Sequence, residues 1–305
     1  MKPLVVIAGP TGSGKSSLAL AIAETFHGEI VNCDSLQLYR EMDIGTAKTP
    51  EPERHGIPHH LFDILAPDEL YTAGDYSRDA RAVLSEISSR GKLPVLVGGT
   101  GFYLHALLDG LFPGPSRSEE LRARLMERKT PLHKLLARLD PERARQIHPN
   151  DAKKLIRALE ICILSKNPAS SALASRAEPL EDFEPLKVAL DPPREELIER
   201  LAERCVQMFE RGLVDEVRRL LACGYAPSSK AFESIGYRET ILFLEGKLTL
   251  EEAIRGVQIS TRQYAKRQRT WFRRESGVEW ICGFGDCIET IQKAFGLVKT
   301  YLERI

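Results

Sequence analysis

The sequence predicts an α/β protein with a parallel sheet flanked by helices and an all-helical insertion domain. Through the first third of the 305-residue chain, short apolar runs alternate with helical patterns. This alternation is typical of parallel strands joined by crossover helices. The pattern changes at the Pro-, Gly- and Ser-bearing stretch GLFPGPSRS (110–118), after which residues 119–165 read as helices only. Such a stretch marks a linker or domain edge, which predicts an insertion.

The elements of the first third are read from apolar β-rich runs and the helical patterns between them. In chain order they are a strand at 4–8, a helix at 15–26, strands at 29–33 and 60–65, a helix at 75–90, a strand at 93–97 and a helix at 102–108. The strand sequences include LVVIA, EIVNC, HLFDIL and LPVLV.

The second half of the chain reads mostly as helices. Turn signals break the helices of the insertion at Thr130–Pro131, Asp140–Pro141 and His148–Asn150. Residues 166–185 read as a polar loop, followed by a strand at 186–190, helices at 194–223, 233–245 and 250–274, and a strand at 278–281. The strand at 186–190 is predicted to return to the first sheet. We therefore predict a core of residues 1–115 and 186–305, and an insertion domain of residues 116–185.

The composition indicates an ordinary globular protein, with 43% hydrophobic and 28% charged residues. No run of about 18 apolar residues occurs, so we expect no membrane span. The N-terminus runs directly into the first strand and lacks a signal-peptide cleavage site. The six cysteines are scattered without a C-x-x-C pair, which favours reduced thiols over disulfides or zinc. We expect a cytoplasmic protein, with a monomer as the default.

The net charge is zero, but the positive charges are concentrated in two segments. From Arg117 to Arg157, twelve Lys and Arg stand against six Asp and Glu. From Arg255 to Arg274, seven Lys and Arg occur without an acidic residue. Such segments can bind a polyanion or can be solvated helix faces, and charge alone does not decide between them.

Residues 9–16 have the G-x-x-x-x-G-K-S spacing of a phosphate-binding loop, placed between a predicted strand and a predicted helix. Its glycines let backbone N–H groups point at an anion, and the helix adds its positive N-terminal end. Lys15 supplies a mobile charge, and Ser16 offers a hydroxyl to Mg²⁺. The predicted diphosphate-binding residues are Gly9, Pro10, Thr11, Gly12, Ser13, Gly14, Lys15 and Ser16. The core is therefore expected to be P-loop NTPase-like.

Two further polar turns follow predicted strands. Asp34 lies just past the strand at 29–33, and the GGTG turn with Thr100 follows the strand at 93–97. Ligands of open parallel sheets bind outside the carboxyl ends of the strands, so both turns can face the phosphate loop. Taken singly, Asp34 is also a good helix N-cap and GGTG a plain tight turn.

The segment STRQYAKRQRTWFRR (260–274) combines basic and aromatic residues. At helical spacing, Arg262, Lys266, Arg269 and Arg273 share one face, with Tyr264, Trp271 and Phe272 among them. We interpret the basic face as an RNA-binding surface and the aromatic pair Trp271 and Phe272 as core anchors.

At these residues the sequence resembles the bacterial tRNA dimethylallyltransferases. The matching stretches are GPTGSGKS, DSLQLY, MDIGTAK, GGTGFY, IHPND with RALE, MFERGLVDEV, SIGYRE and TRQYAKRQRTWF. They occur in the order of the family from residue 9 to residue 272, which is nearly the whole chain.

The resemblance implies transfer of a dimethylallyl group from dimethylallyl diphosphate to the exocyclic amine of tRNA adenosine 37, next to the anticodon. It implies that the loop, with Mg²⁺ at Ser16, holds the diphosphate together with Arg204. It also implies that Asp34 is the catalytic base and that Thr100 contacts substrate, which replaces the cap interpretation. The adenine must then leave its stack to reach the site.

The resemblance also implies contacts with the tRNA anticodon stem-loop. The implied residues are Asp34, Ser35, Leu36, Gln37 and Thr100 near the target nucleotide, and Arg122, Lys153, Lys154, Leu155, Ile156 and Arg157 in the basic insertion. Lys154 departs from the family, which usually carries Arg there, and a lysine cannot fork or stack like a guanidinium. Gly12 and Phe102 are milder departures from the usual Ala and Leu.

Three other functions use the same features. A prenyltransferase acting on free AMP or ADP is the nearest, but the two basic segments favour a large RNA acceptor. A small-molecule kinase would use the loop for ATP. A non-catalytic RNA-binding protein with a nucleotide switch would bind RNA in a salt-sensitive way without turnover.

Overall fold

The computed structural model describes residues 1–112, 114–128, 130–173 and 177–305. The chain divides into two compact units. The first comprises Met1–Leu107 and Leu180–Ile305, and the second comprises Leu108–Pro179.

The first unit is built on a six-stranded sheet whose strand order is β3-β2-β4-β1-β5-β6 and whose neighbours all pair in parallel. The strands are β1 Lys2–Ala8, β2 Gly28–Asn32, β3 His59–His60, β4 Leu93–Val97, β5 Phe183–Leu190 and β6 Val278–Ile281. The predicted α/β class with a parallel sheet is confirmed.

The centre of the sheet is β1, which pairs with β4 on one side and β5 on the other. Val5 lies opposite both Val95 and Leu186. Strands β1 and β4 are apolar throughout their centres because helices cover both faces of the sheet. Since β2, β4 and β1 are adjacent and parallel, their carboxyl ends open onto one edge.

The helices, numbered along the chain, are α1 Lys15–Thr25, α2 Ala73–Ser89, α3 Gly101–Leu108, α4 Glu119–Met126, α5 Leu132–Leu139, α6 Pro141–Gln146, α7 Ala152–Ser165, α8 Ala169–Leu173, α9 Arg194–Glu210, α10 Leu213–Ala222, α11 Tyr237–Leu244, α12 Leu250–Phe272 and α13 Ile288–Arg304. Helices α2 and α12 begin with capping boxes at Thr72 and Thr249. These boxes satisfy backbone N–H groups of the first turn.

Two predicted elements of the first unit are wrong. The strand predicted at 60–65 stops at His60, since Leu61 and Asp63 adopt positive φ angles of 59° and 56°. The helix predicted at 194–223 is two helices, because Gly212 has a φ of 97° and ends the first.

Two further elements begin elsewhere than predicted, and one helix was not predicted. Strand β5 begins at Phe183 instead of residue 186, because Phe183 pairs with Lys2. Helix α11 begins at Tyr237, after a 3₁₀ turn at Lys230–Glu233. Helix α13 was not predicted at all, although it covers the core beside α1.

The second unit is helical, as predicted, with breaks at Pro131 and Pro141. Its buried core includes Leu136 and Leu159. The predicted insertion, 116–185, differs from this unit at both ends, and its last three residues belong to β5. Within the loop predicted at 166–185, helix α8 occurs, and residues 174–176 lie outside the described residues.

All six cysteines lie within the described residues, and each is a free thiol. In the part of the chain that the structure describes, no helix is long and apolar enough to cross a membrane.

Candidate active site

The phosphate loop joins β1 to α1 and has the predicted backbone. Gly9, Gly12 and Gly14 have φ angles of 137°, 79° and 83°, in a region that glycine enters without a steric penalty. The Lys15 ammonium donates a hydrogen bond to the Pro10 carbonyl at 2.8 Å. Burial lowers the pKa of Lys15 to about 8, although nearby Asp34 acts in the opposite direction.

Three other segments of the chain hold this loop. The Thr11 N–H donates to Oε1 of Gln268 on α12 at 2.7 Å. The Thr11 hydroxyl accepts a hydrogen bond from Arg204 of α9 at 2.9 Å. The Gly285 N–H donates to the Ser13 carbonyl at 2.8 Å. The loop is therefore fixed from several directions by tertiary contacts, which preorganises it for an anion.

Asp34 is held by a turn at the end of β2. Its backbone N–H donates to Asn32 Oδ1 at 2.8 Å, and its carboxylate accepts the Leu36 N–H at 2.9 Å. No helix begins here, so the N-cap interpretation is wrong and the carboxylate stabilises a local turn instead. Burial raises the pKa of Asp34 above its ordinary value, despite the opposing effects of the Leu36 N–H and Lys15.

The GGTG turn at the end of β4 is bonded directly to the Asp34 turn. The Thr100 hydroxyl accepts the Ser35 N–H at 3.0 Å, and the Thr100 N–H donates to the Cys33 carbonyl at 3.1 Å. Helix α12 approaches closely, because a Cβ at Gly99 would lie 2.0 Å from Gln268 Nε2. The turn therefore needs glycine for close packing of its backbone against α12.

A cavity of about 200 Å³ connects the phosphate loop with Asp34. It is lined by Thr11, Gly12, Gly14, Lys15, Ser16, Ser17, Asp34, Gln37, Thr46, Ala47, Val97, Gly98, Arg200 and Arg204. The structure thus brings together the predicted loop, the predicted base and the predicted arginine. Ser35, Leu36 and Thr100 lie in the adjoining turns.

The charges around this cavity favour an anionic ligand. Two cations, Lys15 and Arg204, face one carboxylate, Asp34, while the third cation of the lining, Arg200, is paired with Asp286 at 3.0 Å. Burial lowers the pKa of Arg204, and its Nε is buried without a hydrogen-bond partner among the described residues. A buried donor without a partner costs free energy unless a ligand satisfies it.

The implied tRNA residues of the second unit fall into three groups, namely two exposed lysines, two buried apolar residues and two arginines paired with an acid. Lys153 and Lys154 are exposed on α7, with Lys154 3.0 Å from Asp151. Leu155 and Ile156 are only 1% and 8% exposed and belong to the core of this unit. Their side chains pack inside this unit, and the implied tRNA contact of residues 155 and 156 stays a prediction.

Arg122 and Arg157 share one buried partner, Glu160. Arg122 forms a bidentate pair with it at 2.9 and 2.8 Å, and Arg157 lies 2.5 Å from it. Burial acts to raise the pKa of Glu160, but Arg122, the Ser118 N–H and Arg157 outweigh it and hold the pKa at about 2. Two guanidinium groups on one carboxylate leave a net positive charge.

The predicted basic face of α12 lies along a cleft of about 580 Å³ beside α9. Arg262, Lys266, Arg269 and Arg273 all line it, as the helical spacing predicted, and the last two form ion pairs with Asp191. Phe272 is a core anchor at 2% exposure. Trp271 is not, because it is 40% exposed and lies against Gly101.

Sequence reasoning missed several groups that shape the site. Glu216, on α10, accepts the N–H groups of Asp43, Ile44 and Gly45 at 3.0, 2.7 and 3.3 Å. The Tyr237 hydroxyl donates to the same carboxylate at 2.6 Å. The Glu216 carboxylate joins three stretches of the family resemblance, MDIGTAK, GLVDEV and SIGYRE. A single sequence cannot show that these distant stretches are in contact.

Gln268, Asn32 and Arg200 were also missed. Asn32 gives a local signal, since it precedes Asp34 by two residues at a strand end. Gln268 and Arg200 give none, because their partners are distant in the chain.

Fold and site together define an α/β phosphate-loop protein in which a buried carboxylate shares the anion cavity. The family model described as IPP transferase matches residues 37–275. The tRNA dimethylallyltransferase of Solibacter usitatus is 55% identical over 98% of this chain and 99% of that protein. The one of Koribacter versatilis is 53% identical over 97% of this chain and 98% of that protein. The chain belongs to the IPP transferase family.

Solved structures agree with this assignment. The full-length tRNA isopentenylpyrophosphate transferase of Bacillus halodurans is 36% identical, with a TM-score of 0.75 over 100% of this chain and 98% of that one. A eukaryotic dimethylallyltransferase acting on tRNA is 29% identical, with a TM-score of 0.87 over 100% of this chain and 80% of that one. The P-loop NTPase-like fold is thereby confirmed.

We predict that Glu216→Gln lowers the free energy of unfolding by about 1–3 kcal/mol, since the introduced amide N–H₂ meets backbone donors. Because Thr46 and Ala47 of the same segment line the cavity, inorganic pyrophosphate should also bind more weakly. Denaturant unfolding and calorimetry measure the two effects.

Glu245→Gln is the matched control, because Glu245 is 41% exposed and pairs only with Lys247 in the described ion pairs. A surface pair of this kind contributes about 0–1 kcal/mol. Equal losses in the two variants would contradict a special role for Glu216.

Proposed function

We propose that this protein transfers a dimethylallyl group from dimethylallyl diphosphate to the exocyclic amine of tRNA adenosine 37. The observation that carries the proposal is the single cavity that reaches both the phosphate loop and Asp34. A diphosphate leaving group and a proton acceptor are the two groups that N-alkylation by an allylic diphosphate requires. Family membership supports the same reaction.

The phosphate loop and Arg204 stabilise the departing diphosphate. Negative charge grows on this group as the allylic C–O bond breaks, and fixed donors act most strongly there. Lys15 supplies a charge, and the unpartnered Nε of Arg204 supplies a donor that a phosphate oxygen can satisfy. A guanidinium suits bidentate phosphate binding better than an ammonium does.

Mg²⁺ is the proposed cofactor, with the Ser16 hydroxyl as its protein ligand. Among the described residues, no group of three or more His, Cys, Asp or Glu could hold a metal ion. The donor set fits Mg²⁺, which takes few protein ligands and completes its shell with substrate phosphates and water. When bound, the ion neutralises charge on the diphosphate.

Asp34 is the proposed general base. The adenine amine is a poor nucleophile, because its lone pair is delocalised into the ring. As its nitrogen bonds to the allylic carbon, the C–O bond to diphosphate breaks and the amine proton moves to the Asp34 carboxylate. The raised pKa of Asp34 makes it a better proton acceptor than an ordinary aspartate.

The acceptor is proposed to be the anticodon stem-loop of tRNA. Ser35, Leu36, Gln37 and Thr100 lie beside the base and would meet the flipped adenosine. Arg122, Lys153, Lys154 and Arg157, with the basic face of α12, would neutralise phosphates. These charges favour RNA over free AMP or ADP. We place the enzyme in the cytoplasm as a monomer, where its free thiols stay reduced.

The test is to incubate the protein with labelled dimethylallyl diphosphate and unmodified tRNA, and separately with ATP and candidate acceptors. Label at adenosine 37, located by mass spectrometry, is expected only from the first mixture. Transfer from ATP alone would support a kinase, and salt-sensitive RNA binding without any transfer would support a binding protein.

We predict that Asp34→Asn lowers kcat by about 10²–10⁴-fold and leaves the tRNA Kd unchanged, because it removes the base and keeps its shape. Single-turnover rates and filter binding measure the two quantities. Since burial raises the Asp34 pKa, ionisation destabilises the fold as pH rises, so the variant should be at least as stable as the parent at neutral pH. Parallel losses of kcat and tRNA affinity would contradict the role.

We predict a bell-shaped pH dependence of kcat/KM for the prenyl donor. Activity should rise as Asp34 ionises at a pKa above its ordinary value, and fall above about pH 8 as Lys15 loses its proton. Lys15→Arg keeps the positive charge at alkaline pH, so its profile should lack that fall even if its overall rate is lower. A fall that persists unchanged in Lys15→Arg would assign it to another group.

We predict that Lys153→Gln combined with Lys154→Gln weakens tRNA binding and flattens its salt dependence. The slope of log K against log salt should decrease by about 1 for each phosphate contact removed. Lys299→Gln, an exposed position on α13, is the control. An unchanged slope in the double variant would show that α7 does not contact RNA.

A further inference from the structure

We propose that Gln268 is a positioning residue, which sets the distance between the diphosphate and the acceptor amine through its side-chain amide. This inference rests on the proposed function. It concerns how two turns of the site are held together, and not which groups react.

The carboxamide of Gln268 bridges the two turns directly. Its Oε1 accepts the Thr11 N–H of the phosphate loop at 2.7 Å. Its Nε2 donates to the Gly99 carbonyl of the GGTG turn at 2.8 Å. The residue is 4% exposed, so water competes little for either bond.

Each end of this bridge is next to a group of the proposed reaction. The Thr11 hydroxyl accepts a hydrogen bond from Arg204, which lines the anion cavity. Gly99 precedes Thr100, whose hydroxyl accepts the N–H of Ser35 beside the base. A shift of Gln268 is therefore transmitted to both the leaving-group side and the acceptor side.

A carboxamide makes both bonds at once from one short group, which an ionised carboxylate or a thioether cannot do. The Thr11 N–H needs an acceptor and the Gly99 carbonyl needs a donor, and an amide offers one of each. Packing is equally restrictive, since a Cβ at Gly99 would lie 2.0 Å from Nε2. The amide of Gln268 occupies the space that a side chain at position 99 would fill.

The expected consequence is kinetic. A reacting pair displaced by about 1 Å can lose about 10²-fold in rate, even when both partners still bind. A residue that merely attached α12 to the core would affect stability and leave the chemical step unchanged.

Gln258 provides a matched control on the same helix. Its Nε2 donates to the Ala202 carbonyl of α9 at 3.1 Å, away from both turns. Gln258→Met and Gln268→Met therefore each remove buried or partly buried bonds of one glutamine on α12.

The first experiment compares kcat, tRNA Kd, pyrophosphate Kd and melting temperature in these two variants. Gln268→Met is expected to lower kcat by about 10²-fold with the tRNA Kd unchanged, and Gln258→Met to leave kcat unchanged. A kcat loss in Gln268→Met no larger than that in Gln258→Met would overturn the inference.

The second experiment uses Gln268→Glu, which has nearly the same shape. Ionised, the introduced carboxyl still accepts the Thr11 N–H but faces the Gly99 carbonyl without a donor; protonated, it can donate. Its rate relative to the parent protein is therefore expected to rise as the pH falls, because protonation restores the bridge. If the ratio of the Gln268→Glu rate to the parent rate does not change with pH, the inference is overturned. This second experiment decides the question even if Gln268→Met does not fold.

Inorganic pyrophosphate separates this inference from the proposed function. If the parent protein does not prenylate tRNA, the proposed function is wrong. The pH dependence of pyrophosphate affinity in Gln268→Glu still tests whether residue 268 bridges Thr11 and Gly99. Affinity that recovers towards the parent value at low pH supports the inference, and affinity that does not recover overturns it.

Discussion

The structure depends on the adjacency of three parallel strands, β2, β4 and β1. Because parallel strands end at the same edge, the Asp34 turn, the GGTG turn and the phosphate loop become neighbours although residues 9 and 101 are far apart in the chain. Short hydrogen bonds then join the turns, such as the one from the Ser35 N–H to Thr100. The sheet thus provides the frame on which the Asp34 carboxylate and the phosphate loop share one cavity.

Burial of charge is the second constraint on this site. Lys15 and Arg204 are buried with the single carboxylate of Asp34, and burial lowers the pKa of both cations while it raises that of the acid. This arrangement is unfavourable without a ligand, because buried charges need partners. A bound anion would supply the missing negative charge. Burial of these charges therefore lowers the stability of the ligand-free protein and favours binding of an anion, a compromise that is common at functional sites.

Helix α12 shows how one element serves two purposes. Its inner side carries Gln268 and Phe272 into the core, and its outer side presents cations to the cleft beside α9. The helical period separates these sides, so substitutions on one side need not disturb the other. In the second unit, the buried carboxylate of Glu160 holds both Arg122 and Arg157, so this group of three charged side chains keeps a net positive charge.

The sequence by itself determined the parallel α/β class, the phosphate loop, the position of Asp34 at a strand end and the basic face of α12, because these depend on local spacing and apolar periodicity. It misplaced the strand at 60–65 and missed α13, where backbone conformation and packing outweigh local pattern. Only the tertiary structure decided the partners of Gln268 and Glu216 and the burial of Leu155 and Ile156. These are contacts between distant segments, and a single sequence carries no signal for the distance between them.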